Sequence, residues 1–163
     1  MIAYLSGGME YASDGGKGWR EEIQKWLKEN LSHDVFNPVV ETERFLSEKY
    51  PGIDFRELKR TSPEKFKEII SQIVGRDLEA VSFCDYVICL WDEGAEKGAG
   101  TQGEITLAKF LNKPVFIVTK FNFSRIPSWI IGCADEIFEN FESLKNFLLK
   151  KFKFAYASNA SGN

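Results

Sequence analysis

Five short runs that read as strands, separated by stretches with helical periodicity, constrain this chain more than any other feature of it. The runs are Ile2-Ala3-Tyr4-Leu5, Val35-Phe36-Asn37-Pro38, and residues 85–91, 114–118 and 134–138. Between them apolar residues recur at three- and four-residue spacings. Trp19, Ile23, Trp26, Leu27 and Leu31 mark one amphipathic helix, and Phe66, Ile69, Ile70, Ile73, Val74 and Leu78 mark another. Further helices are expected over 101–112 and 141–152, and Ser62-Pro63 reads as an N-cap followed by proline at the first helical position. Strands joined by helical crossovers run parallel, with helices over both faces of the sheet. The expected fold is therefore α/β: a flavodoxin-like or Rossmann-like three-layer sandwich whose five-stranded, mostly parallel sheet has the order 2-1-3-4-5. At 163 residues the chain builds one core. A single domain is expected over 1–152, with a charged helical insertion or lid at about 40–62 and a small, polar tail at 153–163.

In a sheet of this order, ligands bind beyond the carboxyl ends of the strands, where the winding reverses between strands one and three. The loops after Leu5 and after Trp91 meet there, and they are the two richest in glycine. The second runs Asp92-Glu93-Gly94-Ala95-Glu96-Lys97 and then Gly98-Ala99-Gly100-Thr101-Gln102-Gly103-Glu104. It reads as a flexible loop and a glycine-rich turn that launches a helix with Glu104 in its first turn. A carboxylate there either complements the helix dipole or is a reactive group held ionised by it. In the second case it can attack the anomeric carbon of a sugar, while Gly98 and Gly100 let backbone approach the sugar or its phosphate.

Several other chemistries are disfavoured. Residues 98–103 fit the GxGxxG pattern, but a dinucleotide fingerprint directly follows the first strand, whereas here a six-residue loop follows the third. No cofactor is expected. His33 is the sole histidine and reads as a surface or capping residue in a helix-to-strand turn, which leaves neither a histidine-rich metal site nor a Ser-His-Asp triad. Cys84, Cys89 and Cys133 have no paired spacing and read as reduced core thiols. A net charge of -3 disfavours a nucleic-acid polymer as partner. No apolar run approaches membrane-spanning length, and the opening residues lack the pattern of a signal peptide. A soluble, cytoplasmic protein is expected.

Tyr4-Leu5-Ser6-Gly7-Gly8-Met9-Glu10, Phe36-Asn37-Pro38, Asp77 with Asp85, and Gly100-Thr101-x-x-Glu104 followed by Ala108 and Lys113-Pro114-Val115 together resemble the nucleoside 2-deoxyribosyltransferase superfamily. That superfamily includes deoxynucleoside 5'-monophosphate N-glycosidases, and the resemblance covers roughly residues 1–120. It implies a small nucleoside or nucleotide substrate, no metal, and a homo-oligomer (dimer or higher). Glu104 would attack C1' of a 2-deoxyribosyl group, Tyr4 would orient it, and Asp77 would contact the sugar and assist proton transfer at the base. On residue pattern alone Asp77 is equally an exposed helix residue. The transferases carry an aspartate six residues before the nucleophile, where this chain has Gly98. Its absence removes like-charge repulsion and favours a 5'-monophosphate, unless Asp92 or Glu93 supplies the missing carboxylate. Candidate phosphate contacts are Ser6, Gly7, Gly8, Lys17 and Arg20, the last two being otherwise solvated helix-start residues. Trp91 stacks on a base or packs in the core, and Trp129 reads as a subunit contact. The segment 97–104 also resembles the cytokinin-releasing phosphoribohydrolases, which cleave the same class of bond. A non-catalytic nucleotide-binding domain on this scaffold is the remaining alternative.

Overall fold

The structure, a computed structural model, describes residues 1–154. The polar tail expected at 153–163 lies outside the described residues but for its first two. Five strands form one parallel sheet: β1 (Ile2–Gly7), β2 (Asp34–Phe36), β3 (Tyr86–Leu90), β4 (Val115–Val118) and β5 (Glu136–Phe138), in the order β2-β1-β3-β4-β5. This is the order and class expected from the sequence.

Helices cover both faces because each central strand is apolar on both sides. Ala3, Leu5, Tyr86, Ile88, Phe116 and Val118 pack against Ile23 and Leu27 of α1 (Lys17–Leu31) and against Leu144 and Leu148 of α8 (Phe141–Leu148). Tyr4, Val87, Cys89, Val115 and Ile117 face the other layer. There they meet Val81 of α4 (Pro63–Phe83), Ile105 and Ala108 of α6 (Ala99–Phe110), and Ile130 of α7 (Ser128–Cys133). Each fully buried aliphatic side chain contributes roughly 1.5–3 kcal/mol, so the sheet holds its register through these two sets of contacts.

The charged insertion is helical, as α2 (Pro38–Lys49) and α3 (Phe55–Thr61). Pro38, expected to stop β2, also starts α2: Asn37 is the N-cap and its side chain accepts a hydrogen bond from the Val39 N–H. The segment 92–97, expected to be an open loop, carries a five-residue helix, α5 (Glu93–Lys97), because the Asp92 side chain accepts from the Ala95 N–H at 2.9 Å. The closing helix is regular only to Leu148 and continues as a π-helical turn over Leu149–Phe154.

His33 is not a surface residue. Its ring is buried, with Nδ1 2.8 Å from the Tyr86 hydroxyl and its edge against Phe152, and burial lowers its pKa from the ordinary imidazole value. The three cysteines are buried and unpaired. No described helix is long and apolar enough to cross a membrane.

Candidate active site

Tyr4 and Ser6 lie two residues apart on β1, so their side chains leave the same face of the sheet. That face is covered by α6, and both hydroxyls end on one carboxylate. The Tyr4 hydroxyl donates to Glu104 Oε1 at 2.8 Å, and Ser6 Oγ donates to Glu104 Oε2 at 2.5 Å. Tyr4 is fully buried and stacked on Phe36, with ring centroids 5.4 Å apart, which fixes the direction of its hydroxyl. Burial and the neighbouring Glu104 and Asp77 charges raise the Tyr4 pKa well above its ordinary value, so Tyr4 stays a donor.

Glu104 is not in the first turn of its helix. α6 begins at Ala99 with Gly98 as its N-cap, and it takes Gly100 and Gly103 into its body. The carboxylate therefore sits in the second turn, where the pull of the helix dipole has faded. Its ionisation is governed by its surroundings instead. Burial of the carboxyl raises its pKa most, the Ser6 and Tyr4 hydrogen bonds pull it down, the Asp77 charge raises it and Arg20 lowers it; the balance is upward. The residue as a whole keeps some exposure to solvent, while its oxygens are enclosed by the two hydroxyls.

Asp77 projects from α4 and is close enough for its charge to act on both Tyr4 and Glu104. It is a half-buried helix residue, not an exposed one: its side chain is 13% exposed, and Oδ1 accepts from Arg76 Nε at 2.9 Å and Nη2 at 2.6 Å. Burial raises its pKa against the pull of Arg76. Arg76 Nη2 also donates to Thr42 of α2, its guanidinium lies near the rings of Phe36 and Phe45, and its Nη1 is buried without a partner. The charged insertion thus forms a wall beside Asp77. The Arg76–Thr42 link was not legible in the sequence, because the two residues are thirty-four positions apart.

The residues read as phosphate contacts are placed differently. Arg20 is fully buried and its guanidinium is committed to backbone carbonyls, with Nε on Leu5 (3.1 Å), Nη2 on Gly7 (2.8 Å) and Nη1 on Gly16 (2.7 Å). Ser6 is committed to Glu104. Lys17 is exposed and pairs with Glu43 of α2 at 2.5 Å. Trp91 is completely buried among core residues, with its indole N–H unpartnered, so no face is open for a base to stack on. Gly100 is exposed with open space where a side chain would stand, Gly98 is half-buried and Thr101 is buried. Trp129 is largely exposed, and its indole N–H donates to Thr106.

The loops after β1 and after β3 do face each other. A Cβ on Gly8 would stand 2.6 Å from the Gly94 carbonyl carbon and 2.7 Å from the Ala95 nitrogen, so only glycine fits between the two backbones. Gly8→Ala is expected to destabilise the protein by about 1–3 kcal/mol, the usual penalty for overpacking where backbone must move. Thermal unfolding checks this, and an unchanged Tm would show that the loops can part freely.

Two concavities are described. One, about 620 Å³, lies beyond β4 and β5 and is lined by Thr119, Phe121, Phe138 and Asn140; none of Tyr4, Ser6, Asp77 and Glu104 lines it. The other, about 280 Å³, is lined by Phe36, Arg76, Phe83 and Cys84. Glu104 lines neither, but the smaller shares Phe36 with the Tyr4 stack and Arg76 with Asp77. Among the described residues no cluster of His, Cys, Asp and Glu could hold a metal ion.

No family model matches the sequence, and no curated protein matches it. The likeness lies in the fold. A 2-deoxyribosyltransferase from the psychrotolerant bacterium Bacillus psychrosaccharolyticus superposes with a TM-score of 0.63 over 90% of this chain and 91% of that one, at 19% identity. The two chains share one α/β fold with a five-stranded parallel sheet. A conserved protein of Enterococcus faecalis V583 shares it, with a TM-score of 0.60 over 93% of this chain and 98% of that one, at 12% identity. The Clostridium botulinum CMP N-glycosidase BcmB matches at 15% identity over 91% of this chain and 98% of that one; its TM-score of 0.49 is too low to carry an argument. The order of strands and the position of Glu104 opposite β1 are thus set on a scaffold shared with a 2-deoxyribosyltransferase.

Proposed function

We propose that the protein cleaves or transfers the N-glycosidic bond of 2'-deoxynucleosides or their 5'-monophosphates, with Glu104 as nucleophile. One observation carries this reading: a carboxylate at the carboxyl end of β1 has each oxygen held by a separate hydroxyl, 2.8 Å from Tyr4 and 2.5 Å from Ser6. Such fixing aims an oxygen at one point in space, as attack on a sugar carbon requires. The shared scaffold with a 2-deoxyribosyltransferase supports the same reading.

In the first step a Glu104 oxygen bonds to C1' as the C1'–N bond breaks. The bonding pair goes to the base nitrogen, and the proton comes from Asp77, whose burial favours its protonated form. In the second step water or a free base attacks C1', the C1'–oxygen bond to Glu104 breaks, and the proton released by the attacking group returns to Asp77. Microscopic reversibility makes one residue both acid and base. Hydrolysis and transfer differ only in the second attacker. Because Arg20 and Ser6 are committed elsewhere, nucleosides and monophosphates both belong in the assay.

The test is incubation with each deoxynucleoside and each 5'-monophosphate, with and without a second free base. Base release alone marks a hydrolase, and a new nucleoside marks a transferase. Tight binding of ligand that remains intact would replace this reading with a non-catalytic nucleotide-binding domain. The pH dependence is fixed by the same pair. Glu104 must be ionised and Asp77 protonated, and burial raises both pKa values, so kcat/KM is expected to be bell-shaped. Activity falls on the acid side as Glu104 takes a proton and on the basic side as Asp77 loses one; both limbs belong to the coupled pair. A flat profile from about pH 5 to 9 would contradict the assigned roles.

A further inference from the structure

Arg20 is the only Lys, Arg, Asp or Glu among the described residues that is buried as a whole residue. A buried guanidinium is unfavourable unless its N–H groups are met, and it is normally met by a carboxylate. Here the hydrogen-bond partners are neutral carbonyls. Nε donates to Leu5 at 3.1 Å, Nη2 to Gly7 at 2.8 Å and Nη1 to Gly16 at 2.7 Å, with the Gly8 carbonyl 3.5 Å from Nη1. The Trp19 ring covers the guanidinium, 4.6 Å from its carbon. Gly16 is left-handed, at φ 77, and a side chain on it would collide with the guanidinium and with the Gly8 carbonyl. The glycine-rich loop after β1 therefore turns backbone oxygens inward around a cation, where a phosphate cradle would turn N–H groups toward an anion.

Two of those carbonyls, on Leu5 and Gly7, flank Ser6, whose hydroxyl holds Glu104 Oε2. We propose that Arg20 is the positioning residue of this site: it grips the backbone on both sides of Ser6, fixing that hydroxyl against Glu104, and holds a positive charge, in no direct ion pair, behind the pair that favours the ionised form of Glu104. The value of that ionisation for catalysis rests on the function proposed above; the grip and the charge do not.

The titratable groups acting on Glu104 come from four elements. Tyr4 of β1 and Cys89 of β3 stay neutral because burial raises both. Asp77 of α4 opposes ionisation, and Arg20 of α1 favours it. Conversely, Glu104 is the charge that most favours the protonated form of Arg20 against burial, with Asp14 of the same loop adding a smaller pull in that direction. The two charges support each other without touching, across the Ser6 peptide.

The test uses the full chain carrying Arg20→Met or Arg20→Lys, with two readouts that need no turnover. One is titration of the Glu104 carboxyl by ¹³C NMR, assigned with Glu104→Gln; the other is hydrogen exchange of amides 6–18. In R20M the carboxyl is expected to titrate at higher pH than in the parent, and the loop amides to exchange about tenfold faster or more. Where turnover is present, its acid limb moves to higher pH and activity returns as pH is raised, which a purely structural loss would not do. In R20K the titration stays near that of the parent while the loop amides exchange faster, because an ammonium cannot hold three carbonyls in a planar fork. An unchanged Glu104 titration in R20M overturns the proposal. Should R20M fail to fold, R20K decides: parental titration with faster exchange supports it, and a titration displaced upward despite the retained charge overturns it. Absence of turnover in the parent sinks the N-glycosidic reading and leaves these two readouts to judge Arg20.

Discussion

Glu104→Gln is expected to lower base release or transfer by at least about 10⁴-fold, the scale on which losing a nucleophile acts, and at the same time to stabilise the protein at neutral pH. The first effect follows from the chemistry: an amide oxygen does not form the glycosyl-enzyme bond. The second follows from linkage. Burial raises the folded-state pKa of Glu104 above its unfolded value, so its contribution to stability is fully present below the unfolded pKa. That contribution is lost as pH rises through the folded one. Gln does not titrate and escapes that loss. It also keeps the contacts, since its oxygen accepts from one hydroxyl and its NH₂ donates to the other, hydroxyls being able to do both. The Tm advantage of E104Q over the parent is therefore expected to be smallest near pH 4 and to grow toward pH 8. Calorimetry across that range checks the stability half and a base-release assay the catalytic half. Retained turnover would remove Glu104 as nucleophile. A variant less stable at every pH would make the carboxylate part of the scaffold, not a strained functional group of the kind that trades stability for activity.

The fold was legible because each central strand is a run of apolar residues too short for a helix, and each covering helix repeats its apolar residues at three and four. Val87, Ile88 and Cys89 could go nowhere but the middle of a sheet. The short helices were harder to read. α5 has five residues and one buried alanine, too little for periodicity, although the Asp92 cap three residues before Ala95 was a usable signal. α7 is apolar nearly all round, and a six-residue apolar segment does not tell helix from strand. Gly100 and Gly103 sit within α6 despite their poor helix propensity; packing of Thr101, Ile105 and Ala108 outweighs it, which moves Glu104 into the second turn. Of the site, Tyr4 and Glu104 were paired through the resemblance, and the structure brings the two into contact. Ser6 was not read as their partner, although its spacing of two from Tyr4 on a strand places both on one face. Arg20 was misread because a charged residue at a helix start usually faces water, and only the folded loop shows that it points inward. For Trp91 the core-packing alternative holds, because residues of α6 and α7 close over it.

Tyr4→Phe combined with Ser6→Ala is expected to cost at least about 10³-fold in kcat/KM at neutral pH, and to recover part of that as pH is raised. Each hydroxyl is a hydrogen bond to a charged acceptor, an interaction of roughly 1.5–3 kcal/mol, so each single change is expected to lower turnover by about 10- to 100-fold. The double change exceeds a simple orienting loss because the two donors are the strongest influences holding the Glu104 pKa down against burial. Without them, burial and the Asp77 charge leave only Arg20 to oppose protonation, and a protonated carboxyl does not attack C1'. Raising the pH restores the ionised form, so the acid limb moves upward and activity returns along it. Tyr4→Phe keeps the ring stacked on Phe36, so the fold is expected to survive, and the two single variants are expected to be non-additive because both act on one carboxylate. A loss of the same size at every pH would mean that the hydroxyls only aim the carboxylate. Activity close to the parent's would mean that neither hydrogen bond is made in the working site, and the arrangement of Tyr4, Ser6 and Glu104 would then have no part in the chemistry.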